Sequence, residues 1–192
     1  MYAVRMQRNA ARTRQRILAA ATDEFAAMGI AGARVNRIAE VSGCNKAMLY
    51  AYFGSKNALF DAVFSAYVDA YLDEVGFDAS DLPSYAGRVF DYFEEHPDHL
   101  RLATWFRLER PQGSRLGVVL EVNADRLAAL TKAQADGLIP ADFSPIELLS
   151  LVQSIATSWS TMNPEYGADL LPGLSRRRKA VVAAVERLVA GG

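Results

Sequence analysis

The sequence predicts an all-α chain of about nine helices, and three observations carry that expectation. Apolar residues recur at helical spacing almost throughout. No segment alternates apolar and polar residues with β-branched enrichment, as a half-buried strand would. Seven prolines, at 83, 97, 111, 140, 145, 164 and 172, interrupt the later part of the chain at intervals about one helix long.

The first helix is expected over about 10–28, with Ile17, Ala21, Phe25 and Met28 on one face and Gly29 as its stop. A short second helix over about 35–42 places Val35, Ile38 and Ala39 together; Gly43 then supplies a tight turn into a third helix over 46–53. Ser55 is placed to cap a fourth helix through "KNALFDAVFSAYVDAYLDEV", in which Leu59, Val63 and Ala70 recur at helical spacing. No Pro/Ser-rich linker interrupts this segment, so the two ends of the chain are expected to be joined by continuous helix. The prolines divide the remainder into helices near 82–95, 97–109, 114–136, 144–162 and 173–190.

With 192 residues, 51% of them hydrophobic and 22% charged, the chain can bury a sizeable core without covalent staples. Its single cysteine, Cys44, forms no internal disulfide, and no Cys/His spacing resembles a zinc site. The apolar stretch "ILAAAT" is cut short by Asp23 and Glu24, unlike a signal peptide, and no run reaches the roughly 18 apolar residues of a membrane span. A soluble, cytoplasmic protein is expected.

Charge divides the chain more sharply than composition does. Residues 1–56 carry nine Lys/Arg against three acids, a net of +6, while the remainder carries twelve against nineteen, a net of -7. A basic head on an acidic body is the pattern of a nucleic-acid-binding segment joined to one with another task.

Residues 35–54 have the layout of a helix-turn-helix. Ala39 is small where two backbones approach, Gly43 tolerates positive φ, and Ile38, Cys44, Leu49 and either Tyr52 or Phe53 are apolar where the unit needs inward side chains. If Leu49 and Phe53 point inward, Lys46, Ala47, Tyr50 and Ala51 face away on a narrow surface that can approach base edges in a major groove. Lys46 can donate to guanine or phosphate, Tyr50 can reach a phosphate oxygen and Met48 a thymine methyl, with Asn45 beside them at the N-cap position. Arg34, Lys46 and Lys56 each stand at a helix start, where the dipole disfavours a cation unless an anion is to be bound there.

The stretch "TRQRILAAATDEFAAMGIAGARVNRIAEVSGCNKAMLYAYFGSKNALFDAVF", residues 13–64, resembles the DNA-binding head of the tetracycline-repressor-like (TetR/AcrR) transcriptional regulators. The resemblance implies a head over 1–54 and a helical ligand-binding and dimerisation body over 55–192. It implies that Asn36, Lys46, Ala47, Met48, Tyr50, Tyr52 and Lys56 face DNA, Tyr50 and Lys56 mostly at phosphates. Two departures stand out. Ala33 and Arg34 replace the usual Thr or Ser before the second helix, removing a hydroxyl cap, with Arg34 offered as the phosphate contact instead. Tyr52 stands where many relatives carry His and could pack inward. Arg5, Arg8, Arg12 and Arg14 fit either a basic arm reaching DNA or a solubilising tail.

Leu148, Leu149, Leu151, Val152, Ile155 and Trp159, and then Val181, Val182, Val185, Leu188 and Val189, form stripes wider than one buried face needs. The resemblance implies that these last two helices build a homodimer interface, whose two-fold symmetry matches a palindromic operator on double-stranded DNA. It also implies a cavity for a small hydrophobic inducer, for which Tyr92, Arg101, Trp105 and Trp159 are the candidate lining. "EEHPDH" brings His96 and His99 close to acids, but Pro97 marks a helix start that suits acids there, and no metal is assigned. "SRRRK", 175–179, reads as a solvated helix face or a second DNA-contacting patch. No catalytic order of residues stands out, so neither enzymatic activity nor a cofactor is expected. A ligand-independent repressor or activator, and more distantly a helical enzyme or metal-binding protein, are the competing readings.

Overall fold

The computed structural model describes residues 2–110, 117–159 and 168–190. Among them are nine α-helices: α1 (Tyr2–Gly32), α2 (Val35–Val41), α3 (Lys46–Phe53), α4 (Lys56–Val75), α5 (Leu82–Glu95), α6 (Pro97–Glu109), α7 (Gly117–Ala135), α8 (Pro145–Thr157) and α9 (Leu174–Val189), with a 3-10 turn at Ala168–Leu170. The chain forms two compact units, one of residues 1–69 and 98–116, the other of 70–97 and 117–192. Helix α6 thus belongs with α1, α2 and α3 in the first unit, and α4 contributes to both units.

In the first unit α1 begins eight residues earlier than expected, because the arginine-rich start contains no Pro or Gly and is built largely of good helix formers. Its expected stop is a kink: Gly29 adopts φ 73° and ψ -179°, a region open essentially to glycine alone, and a further turn follows to Gly32. Ile17, Ala21, Phe25, Ile38, Leu49, Leu59 and Phe60 are fully buried and form the core of this unit, with the Phe25 and Phe60 rings edge to face at 5.2 Å.

Helix α6 is tied onto the same unit by polar contacts. Arg101 Nε and Trp105 Nε1 both donate to the Ala26 carbonyl, at 2.8 and 3.2 Å, and Ala31 N donates to Glu109 Oε2 at 2.6 Å. The Arg110 guanidinium pairs with Asp61 and lies 5.4 Å over the Phe60 ring. Gly29 is where this docking is tightest: a Cβ there would sit 2.9 Å from Trp105 Cε3 and closer still to the Glu109 carboxylate.

The second unit packs α5 against both α8 and α9, with Leu82, Tyr85, Phe90, Val152 and Val185 at most 1% exposed. Gly87 permits the close approach of α9, since a Cβ would meet Arg178 at 2.9 Å and Val182 at 3.2 Å. The basic "SRRRK" run is thus neither a free face nor a second DNA patch over its whole length. Arg177 pairs with Glu94 through two bonds, at 2.7 and 3.0 Å, and Arg178 Nε donates to Asp91 at 2.7 Å. Helix α8 opens with Glu147 accepting from the Ser144 N–H and hydroxyl, at 2.8 and 2.7 Å, which holds its carboxyl below the ordinary 4.5.

Helix α8 ends at Thr157, not near 162. Thr157 and Ser158 donate their hydroxyls to the Gln153 and Ile155 carbonyls, drawing on the acceptors that would continue the ladder, and Trp159 lies in the following turn. The expected tail of that helix, 160–162, and the expected start of α7, 114–116, lie outside the described residues. No helix among the described residues is long and apolar enough to cross a membrane.

Candidate nucleic-acid interface

The interface is built from α2, the turn 42–45 and α3. Gly43 takes φ 64°, which lets Gly43 N donate to the Glu40 carbonyl and Cys44 N to the Ala39 carbonyl, at 3.0 and 2.9 Å, turning the chain sharply between helices. Ser42, 4% exposed, donates its hydroxyl to the Ala39 carbonyl at 3.1 Å. Asn45 is the N-cap of α3, its Oδ1 accepting from Met48 N at 2.7 Å, so this amide oxygen is committed to the helix start and not to a base.

Of the residues expected inward, Ile38, Leu49 and Phe53 are buried while Cys44 is only half-buried, with Arg16 approaching its Sγ at 4.0 Å. Tyr52 is outward, its side of the Tyr52-or-Phe53 alternative falling to Phe53. Lys46, Ala47, Met48, Tyr50, Ala51 and Tyr52 are all exposed along α3, with Lys46 Nζ 5.9 Å over the Tyr50 ring. The three large side chains of this face, Met48, Tyr50 and Tyr52, are 41, 37 and 37% exposed.

The three cations that the sequence placed at helix starts share a setting. Arg34, Lys46, Tyr50 and Lys56 line one groove of about 760 Å³, together with Asn36 and Arg37. Arg34, Asn36 and Arg37 are exposed there. Lys56 is not a free arm: its ammonium donates to the Ala31 and Ala33 carbonyls at 3.0 and 3.3 Å, leaving one of three N–H groups for an anion. It thereby fixes the chain between α1 and α2 as well as charging the groove.

Glu24 is the residue that sequence reasoning missed. It is 7% exposed, its Oε1 accepts from Arg34 N at 2.9 Å, and its Oε2 pairs with Arg37 Nε at 3.1 Å. A carboxylate from α1 therefore receives the N–H of Arg34, the N-cap residue of α2, which makes no side-chain cap of its own. The signal was available: Glu24 continues the spacing of Ile17 and Ala21 on the buried stripe of α1, where an acid needs a partner.

The candidate ligand residues divide between the units. Arg101 and Trp105 bind the Ala26 carbonyl in the first, whereas Tyr92, 2% exposed, packs with Tyr71 and Phe93 in the second, which also holds the half-buried Trp159. His96 lies with Glu74 and Glu95, their ligand atoms within 4.8 Å, while His99 packs against the Tyr67 ring at 5.1 Å. In that cluster His96 Nε2 lies 3.6 Å from Glu74 Oε2.

Residues 17–63 match the family described as "Bacterial regulatory proteins, tetR family", and residues 81–187 match "Tetracyclin repressor-like, C-terminal domain". The chain is 33% identical over 169 residues to the HTH-type transcriptional repressor SCO4008 of Streptomyces coelicolor, covering 84% of each. Among solved structures, SCO4942 of Streptomyces coelicolor superposes with a TM-score of 0.83 at 42% identity, covering 92% of this chain and 98% of that one. A TetR-like transcriptional regulator from Rhodococcus sp. RHA1 shares the fold, with a TM-score of 0.69 at 16% identity and coverage of 94 and 97%.

Proposed function

Because this chain belongs to the tetR family of DNA-binding helix-turn-helix transcriptional regulators, we propose that it is a dimeric repressor of a palindromic operator, released by a small hydrophobic ligand. The observation that carries the DNA-binding half is the groove shared by Arg34, Lys46, Tyr50 and Lys56 beside the exposed outer face of α3. Side-chain cations suited to a phosphate gather there, with Glu24 and Glu40 in the same lining and Glu24 committed to Arg34 N and Arg37. Lys46, Met48 and Tyr50 then meet base edges and backbone, while Asn45 and Glu24 hold the two helices in place. The repressor assignment draws support from SCO4008, which is a transcriptional repressor.

Pairing of two copies through α8 and α9 is supported by apolar side chains that these helices leave uncovered: Ile146 at 55%, Leu151 at 38% and Leu174 at 53% exposure. Two heads so paired read two half-sites. A ligand that prefers a conformer misfitting successive major grooves by about 100-fold supplies roughly 2.7 kcal/mol against operator binding, enough for a switch. The reading assigns no catalytic chemistry to the chain.

The test is to sequence the genomic fragments retained by the purified protein. A shared palindrome among them is expected, lost with Lys46→Ala. Random fragments whose retention collapses in moderate salt would overturn the reading.

A further inference from the structure

Arg126, on α7 in the second unit, is 6% exposed, and its Nε is buried with no hydrogen-bond partner. Its guanidinium lies over three aromatic faces, 5.4 Å from the Tyr71 ring, 5.5 Å from Phe77 and 5.7 Å from Tyr85. Among the described residues no carboxylate pairs with it. The other shielded arginines differ. Arg110 and Arg177 also have a buried Nε without a partner, but each is paired with a carboxylate, Asp61 or Glu94. Arg88 donates Nε to the Val75 carbonyl at 2.7 Å.

Ring faces attract a cation but accept little from its N–H groups, so aromatic cages suit cations without donors, such as quaternary ammonium groups. A guanidinium carries five donors in a planar fork that matches a carboxylate through two parallel bonds. A largely buried cation whose Nε lacks an acceptor, and which no carboxylate among the described residues neutralises, is suited to an anion that arrives from outside. Beside it the Tyr71 and Tyr85 hydroxyls are hydrogen-bonded to each other at 3.1 Å, adding polar atoms to an otherwise apolar wall. Tyr71 and Tyr85 are buried, whereas Phe77, in the loop 76–81, is half-buried and forms the solvent side of the cage.

We infer that Arg126 is the anchor for an anionic effector, a small aromatic carboxylate whose charge meets the guanidinium fork and whose ring lies against Phe77, on the solvent side of the cage. The inference rests on the effector-released reading above and specifies its ligand class. It contributes a site in the second unit, and none of the four ligand candidates taken from the sequence contributes to the cage.

The experiment is calorimetric titration of the full chain with benzoate, salicylate, phenylacetate and cinnamate, each beside its uncharged amide. At least one carboxylate is expected to bind about thirtyfold more tightly than its amide, and Arg126→Gln to abolish that difference while circular dichroism stays native. Equal binding of acid and amide by the wild-type chain, binding by Arg126→Gln equal to wild type, or no binding by any of the four acids overturns it. The acid-to-amide ratio needs only the wild-type chain, so it decides even if the variant does not fold. DNA release is read separately. A carboxylate bound through Arg126 with the operator still held leaves this inference standing and removes effector control. Release by an uncharged ligand, undiminished in Arg126→Gln, does the reverse.

Discussion

Gly29→Ala perturbs the point where α6 docks on the kink of α1, and its cost follows from two separate features. The first is conformational: φ 73° with ψ -179° lies in territory that a Cβ makes strained by about 2 kcal/mol. The second is steric. The new methyl would stand 2.9 Å from Trp105 Cε3, on a ring fixed by its bond to the Ala26 carbonyl, and against a Glu109 carboxylate fixed by Ala31 N. Neither neighbour can withdraw without surrendering its hydrogen bond, and overpacking of this kind costs roughly 2 kcal/mol more. The sum, about 4 kcal/mol, is a large part of the stability of an ordinary domain and corresponds to a fall of roughly 8–16 °C in Tm. Urea unfolding followed by circular dichroism measures the total, and tryptophan fluorescence, to which Trp105 contributes, reports the docking itself. A loss below about 1 kcal/mol with unchanged emission would refute the reasoning, because an ordinary solvent-facing substitution costs no more.

Gly43→Ala is the matched contrast: φ is 64° but the nearest atom to a Cβ is Arg16 at 3.7 Å, so only the left-handed strain of about 1 kcal/mol is expected, read by the same unfolding assay. Asn45→Ala removes the cap on α3 and should cost about 1 kcal/mol, lowering operator affinity by up to roughly fivefold in fluorescence anisotropy. Lys46→Ala should weaken binding and reduce the slope of log affinity against log salt by about 1 per head, or about 2 for a dimer on its operator. Glu147 titrates below its ordinary 4.5 in the folded chain, so its contribution to stability is complete above that value and disappears as pH falls through the folded value. The Tm difference between wild type and Glu147→Gln should therefore close as solutions are taken well below pH 4.5.

Much of the head was legible in the sequence because its parts are local. Asn45 before α3, Gly43 in the turn and the Ile38, Leu49 and Phe53 spacing each follow from a few consecutive residues, and α3 and α4 have the bounds that the sequence predicted. The arrangements that stayed hidden are long-range. That Arg101 and Trp105 both reach the Ala26 carbonyl, some 75 and 79 residues earlier in the chain, depends on packing that no local pattern encodes. Arg177 and Arg178 read as a basic run until α5 supplied Glu94 and Asp91 opposite them. Arg126, one arginine on α7, acquires its setting only from rings on α4, on α5 and in the loop joining them.

The most direct measurement for the central claim is the ratio of affinities for a retained palindromic duplex and its scrambled counterpart, at one fixed salt concentration near physiological. Reading of base edges by the α3 face predicts a ratio on the order of 10³ or more, falling sharply when Lys46 and Met48 are both replaced by Ala. A ratio near one, unchanged by that double substitution, would contradict it.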